Sequence, residues 1–195
     1  MNNHTDDLSL ANNCWGELYV SYTGADRHYH TLKHLAYMYE LLQRVQIFID
    51  DWDVLLCALF YHDIVYKPGR RDNEEKSARI AALHMKTLLF TDLQITRCRK
   101  HILATKTHKP CEDEDTNYLI DADLSILGAV PEAYQEYCLQ VREEYQKFPD
   151  FIYKRGRKKV LTTFLNLPKI FHTSWFYDRF ETQARENIAE ELARL

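Results

Sequence analysis

Apolar residues recur every three or four positions over most of the chain, and no period of two lasts long enough to demand a strand. Leu8, Ala11, Trp15, Leu18 and Tyr22 form a first helical stripe that stops at Thr23-Gly24, where glycine suits a terminator. A second helix is expected from about His30 to Phe48, burying Leu32, Leu35, Tyr39 and Leu42. Asp51 or Asp53 can cap a third, DVLLCALFYHDIVY, before Pro68-Gly69 breaks the chain. Asp72 and Glu75 stand at capping-box spacing and open a fourth helix through Leu89; Thr91 and Gln94 repeat the spacing before a fifth that ends short of Pro110. YLIDADLSILG has a helical face closed by Gly128, and Pro131 suits the first turn of the helix after it. Two more follow, one around Arg157 to Leu167 and one with Phe180, Ala184, Ile188 and Leu192 at i, i+4 steps. The expected fold is all-α, a single-domain bundle of roughly seven to nine helices. With no linker, repeat or low-complexity stretch, residues 1–195 read as one domain.

Composition agrees with long helices: there are only 5 Gly and 5 Pro, while 46% of residues are apolar. The 25 Lys+Arg against 29 Asp+Glu leave a formal charge of −4, which argues against a protein built around attraction to a nucleic-acid polymer. Its 5 cysteines are scattered, with no C-x-x-C pair, so neither a disulfide framework nor a cysteine zinc site is signalled. The longest apolar run, Val54 to Tyr61, falls far short of the about 20 residues of a membrane span, and MNNHTDD has no secretion-signal character. A cytoplasmic protein without a membrane partner is expected. Aromatic-rich helices suit a homodimer interface as well as a core.

The chain carries 9 histidines, of which His4 and His172 lie in polar or loop-like sequence. His62 is followed at once by Asp63, and on a helical wheel the two fall on the margins of the stripe formed by Leu55, Leu59 and Tyr66. Alone, that dipeptide is as well explained by a buried pair bonded to backbone. Asp123 sits at the centre of the stripe made by Leu119, Ile126 and Leu127, where a carboxylate is costly unless a cation or several donors meet it. Asp121 points the other way and reads as a solvated or capping residue. His30 and His34 are spaced i, i+4, as ligands on one helix face can be, and His101 and His108 are seven residues apart. His30, His62, Asp63 and Asp123 together offer two neutral nitrogens and two carboxylates. That set suits a six-coordinate divalent ion better than a closed tetrahedral zinc site.

An early His, an adjacent His-Asp after an apolar helix and a distant Asp in an A-D-x-L context resemble the HD superfamily of metal-dependent phosphohydrolases, with its H…HD…D pattern. Within it the chain is similar to a group of bacterial predicted metal-dependent HD phosphohydrolases, through RHYHTLKH, FYHDIVYKP, DNEEKSA, DADLSILG, REEY, RGRKKVL and ETQARENIAEEL. The residues after the dyad read IVY where many HD enzymes carry I-G-K. The resemblance implies a helical HD domain whose metal ligands are His30, His62, Asp63 and Asp123, for Mn, Mg, Co, Ni, Fe or Zn.

A metal-activated water would then attack a small phosphorylated metabolite, a nucleotide or related phosphate ester; phosphomonoesterase, phosphodiesterase and pyrophosphatase chemistry remain open. Asp63 and Glu74 or Glu75 are the candidate catalytic carboxylates, although Glu75 also has a capping explanation. Arg27, His34, Lys67 and His108 are the candidate substrate contacts, with Arg70, Arg71, Lys106, Lys109 and Arg157 as further cations. Arg185, at i+4 from Glu181, is accounted for by a surface ion pair. The alternative is a non-catalytic HD module that binds a nucleotide or partner protein. A di-iron oxygenase would need extra ligands from His101, His108 or Glu75.

Overall fold

A computed structural model describes residues 8–195; the N-terminal MNNHTDD, with His4, lies outside them. Among the described residues the chain is all-α, with nine helices and no strand. They are α1 (Leu8–Tyr22), α2 (Leu32–Arg44), α3 (Trp52–Tyr61), α4 (Asn73–Thr87), α5 (Asp92–Ala104), α6 (Glu114–Leu124), α7 (Pro131–Glu144), α8 (Asp150–Leu165) and α9 (Ser174–Arg194). Two 3-10 turns, Gln46–Phe48 and Ser125–Gly128, follow α2 and α6. None of these helices is long and apolar enough to cross a membrane. Contacts group the described residues into two compact units, 8–120 and 121–195, with the division falling inside α6.

In the first unit α3 is the central rod. Val54, Leu55, Cys57, Ala58, Leu59 and Tyr61 are all buried, and a helix apolar on every side must be covered on every side. α2, α4 and α5 pack on it, and α4 packs on α5. Its start is set by Asp51, whose side chain accepts from the Val54 N–H (3.2 Å), while the buried Asp115 accepts from the Asp50 and Asp51 N–H groups (2.9 and 3.0 Å). The expected capping box at Thr91 and Gln94 is formed. That at Asp72 and Glu75 is not: the Asp72 carboxylate pairs with Arg70 (2.8 Å) and Lys76 (2.7 Å), and the neighbouring guanidinium holds its acid well below the usual range. Two boundaries differ from the periodicity. α2 begins after Thr31, which caps it by accepting from the Lys33 N–H (3.3 Å), so His30 precedes the helix. α3 stops at Tyr61, which makes His62 its C-cap and puts Asp63 beyond it.

In the second unit the Ser125–Gly128 turn packs on α9, α7 packs on that turn, and α8 packs on α9. Asp121, expected to be solvated or capping, is a fully buried cap: it accepts from the His172 N–H (2.8 Å), the Thr173 N–H (2.7 Å) and the Thr173 hydroxyl (2.7 Å), where α9 begins. Burial pushes its acid up to about 6, against the donors that favour the anion. Glu181 and Arg185 form more than a surface pair. Glu181, 5% exposed, accepts from the Ile170 and Phe171 N–H groups, and Arg185 donates to the Leu165 and Leu167 carbonyls. The pair closes the α8–α9 connection. α8 starts at Asp150, well before Arg157, because Pro149 supplies its N-cap backbone.

Gly128 does not end its helix through a left-handed backbone; the glycine with positive φ is Gly69, at 81°. Its role is close approach, since a Cβ there would lie 2.4 Å from the Phe180 carbonyl oxygen and 2.7 Å from the Phe180 Cβ. Gly128→Ala is therefore expected to cost about 1–3 kcal/mol in thermal unfolding. Gly16→Ala, in α1 with nothing within 4 Å of the added atom, should be neutral or stabilising by up to about 1 kcal/mol. Equal shifts for the two variants would contradict the packing argument.

Candidate functional site

The C-terminus of α3 turns its last polar side chains toward the imidazoles at the start of α2. His62 is 1% exposed, and its Nδ1–H donates to the Leu59 carbonyl at 2.8 Å. That bond fixes the tautomer, leaving the Nε2 lone pair as the ring's outward-facing donor atom. Nε2 lies 3.4 Å from the Nε2 of His34, on the first turn of α2, and 3.4 Å from the Asp63 carboxylate. The same carboxylate is 3.8 Å from Nε2 of His30. α6 carries Asp123 on its last turn. Nitrogen lone pairs and anionic oxygens collected this closely repel one another unless a proton or a cation lies among them. Imidazole plus carboxylate is a donor set that divalent transition metals accept.

The loops around these groups are held by side chains bonding backbone, and Arg27, expected as a substrate contact, is one of them. Arg27 donates through Nη1 to the His30 carbonyl (3.0 Å) and through Nη2 to the Ile64 carbonyl (2.9 Å). Its guanidinium also lies over the rings of Tyr22 (4.7 Å) and Tyr66 (5.7 Å). Arg27 thus ties the segment bearing His30 to the segment just past the dyad. The Tyr22 hydroxyl accepts from the Asp63 N–H (3.3 Å), and Tyr66 stacks on His30 with centroids 3.9 Å apart. Tyr29 packs against both His30 and His34 at 4.9 Å.

From α4, Ser77 accepts from the Val65 N–H (3.1 Å), and Asn73 bonds both backbone groups of Lys67 (3.3 and 3.1 Å). Buried Asn73 and Ser77 stand at i, i+4 in line with Ala81, so a polar residue interrupting an apolar stripe was the available signal for both. Tyr61, beside the dyad, hydrogen-bonds His84 (2.9 Å), whose other nitrogen faces Glu17 (3.2 Å).

The remaining sequence candidates are placed as follows. Glu74 and Glu75 both face Lys106, which forms an ion pair with Glu75; that contact lowers the Glu75 acid from its ordinary value. Lys67 is exposed in the segment after the dyad. His108 lies past α5 with φ of 51°, a left-handed backbone that histidine adopts more readily than most residues. Arg157, considered as a phosphate contact, is instead buried in the second unit, where it grips Glu191 through two nitrogens (2.8 and 3.0 Å) and donates to the Tyr137 hydroxyl (3.0 Å).

A second group, His101, Asp113 and Asp115, also brings potential ligand atoms within 4.8 Å. Here a cation is already in place. Arg97 contacts both Asp113 oxygens (3.1 and 3.1 Å) and Asp115 (3.1 Å), while burial pushes the His101 imidazole down toward its neutral form. We read this group as an anchor for the start of α3.

Comparison of the chain with protein-family models, with curated proteins and with solved structures finds no match.

Two variants separate the anchor from the candidate metal centre. Asp115→Ala leaves Arg97 without a buried partner and two N–H groups unsatisfied, and should cost about 3–5 kcal/mol in denaturant unfolding. Arg27→Lys, which cannot reproduce the two-carbonyl fork, should cost about 1–2 kcal/mol. It should also loosen the loop containing His30, visible as faster amide exchange over residues 28–31 than in Asp115→Ala at matched stability.

Proposed function

We propose that the chain is a metal-dependent phosphohydrolase acting on a small phosphorylated metabolite, a nucleotide or related phosphate ester. The observation that carries this reading is the convergence of His34, His62 and Asp63 donor atoms at the end of a buried helix, with Asp123 following along the chain on α6. Their order along the chain resembles the H…HD…D pattern. His62, with Nδ1 fixed by the Leu59 carbonyl, and His34, Asp63 and Asp123 would hold the ion, with His30 beside them. When bound, a divalent ion supplies a water of lowered pKa and polarises a phosphoryl oxygen.

The chain's own groups account for the rest. One Asp63 oxygen is 3.4 Å from Nε2 of His62 and 3.8 Å from Nε2 of His30, so the carboxylate can take a proton from an attacking water and pass it toward His30. Stacking on Tyr66 keeps the His30 ring in that position. Asp63 and His30 suit the base role better than Glu75, whose carboxylate is stabilised as an anion by Lys106. Tyr29 and Tyr66 pack an aromatic wall around the His30 ring that limits water there. Lys67, exposed in the segment that Asn73 pins, is the cation assigned to the phosphate in this reading.

The test is a panel of nucleotides, sugar phosphates and pyrophosphates supplemented with Mn, Co, Ni or Mg. Phosphate release is expected from the wild type, with a loss of about a hundredfold or more in Asp63→Ala and His62→Ala. The same metals should raise the wild-type melting temperature and leave those variants unmoved. Metal-dependent stabilisation without turnover anywhere in the panel would assign the chain to the non-catalytic binding class.

A further inference from the structure

We propose that α8, in the second unit, is a docking surface for anionic phospholipid headgroups. α8 spans Asp150–Leu165, and Leu161 is its one fully buried residue; Arg157 on the same face is turned inward to Glu191. The opposite side carries Arg155 and Lys159, while Lys154 and Lys158 lie nearer the Leu161 edge. Lys154, Arg155, Lys158 and Lys159 are all exposed, and none of them makes an ion pair among the described residues. The helix's single acid, Asp150, is drawn off by Arg142 (2.5 Å). Uncompensated cations are thus gathered within two turns of one helix in a chain whose formal charge is −4.

Charge alone would suit any polyanion, but the apolar residues on this surface select among them. Phe151 is 73% exposed, Ile152 47% and Val160 48%. At about 100° per residue Phe151 and Ile152 flank Arg155 and Lys159 on the outward side, one turn before them. A phosphodiester backbone gives such side chains nothing to bury against. A bilayer boundary does: Phe151 and Ile152 can enter the headgroup and acyl region while the lysines and Arg155 stay at the phosphates. Since no described helix can span a bilayer, the contact would be peripheral and reversible, strengthened by each cation by a factor of about five near an anionic surface.

Full-length protein should co-sediment with phosphatidylcholine vesicles containing phosphatidylserine, release as salt is raised, and ignore phosphatidylcholine alone. Lys158→Glu with Lys159→Glu should weaken binding by tenfold or more. Phe151→Ala should weaken it severalfold with the salt dependence retained. Far-UV circular dichroism and the melting temperature without added metal should match the wild type in these variants, which shows that they fold and keeps this result independent of the hydrolase reading. The proposal is overturned if phosphatidylserine gives no binding, if the charge-reversed variant binds as well as the wild type, or if a single- or double-stranded oligonucleotide displaces the vesicles and is itself released by the same charge reversal.

Discussion

The candidate site depends on where α3 ends, and α3 is held at both ends by buried polar bonds. At its start, Asp115 accepts two backbone N–H groups and binds Arg97. At its finish, the His62 ring donates back to the Leu59 carbonyl. A rod that is apolar on every side has no solvent-facing stripe to hold a polar group, so an imidazole and a carboxylate can only be presented where the backbone leaves the helix. The bond to Leu59 satisfies one of the orphan carbonyls of the last turn and, in the same geometry, orients the other ring nitrogen toward His34 and Asp63. Moving the helix end by one residue would turn that nitrogen by about 100°.

Around that fixed point the loops are organised by side chains bonding backbone. Arg27 joins two carbonyls from opposite sides of the site, Tyr22 takes the Asp63 N–H, and Asn73 and Ser77 pin the segment from Val65 to Lys67. The second unit uses the same device with carboxylates: Asp121 at the start of α9 and Glu181 at the α8–α9 connection each accept backbone N–H groups, and Glu191 takes the buried Arg157. A buried charge costs several kcal/mol unless donors or an opposite charge surround it. Each of these carboxylates is so surrounded within its own unit.

Most of the fold was legible because helices announce themselves locally. The stripe from Leu8 to Tyr22, the Thr91 and Gln94 box and Pro131 at a first turn all depend on residues within a few positions of one another. Boundaries that depend on distant partners were not legible. α3 ends at Tyr61 although the apolar period runs to Tyr66; α4 lacks its capping box because Arg70 and Lys76 compete for Asp72; and Arg157, one of several cations in RGRKK, faces inward because Glu191 lies on α9. The same holds for the site. Its titratable members, His30, His34, His62, Asp63 and Asp123, are marked by residue type and spacing, whereas the supporting residues Tyr22, Asn73 and Ser77 look like ordinary core or helix-start positions.

The sequence by itself determined an all-helical chain, the histidines and aspartates that carry ligand-type nitrogen and oxygen atoms, and a concentration of positive charge between Lys154 and Lys159. Those properties follow from periodicity and chemical type, which are local. Only the tertiary structure decided which nitrogen of His62 is presented, that His34 as well as His30 faces the dyad, that Arg27 serves backbone carbonyls, and that the Arg97 guanidinium is already set against Asp113 and Asp115. The reason is that a polar group's role is set by which partner first satisfies its hydrogen bonds and charge. In this chain those partners lie far away in sequence: 37 residues separate Arg27 from Ile64, 65 separate Asp50 from Asp115, and 34 separate Arg157 from Glu191.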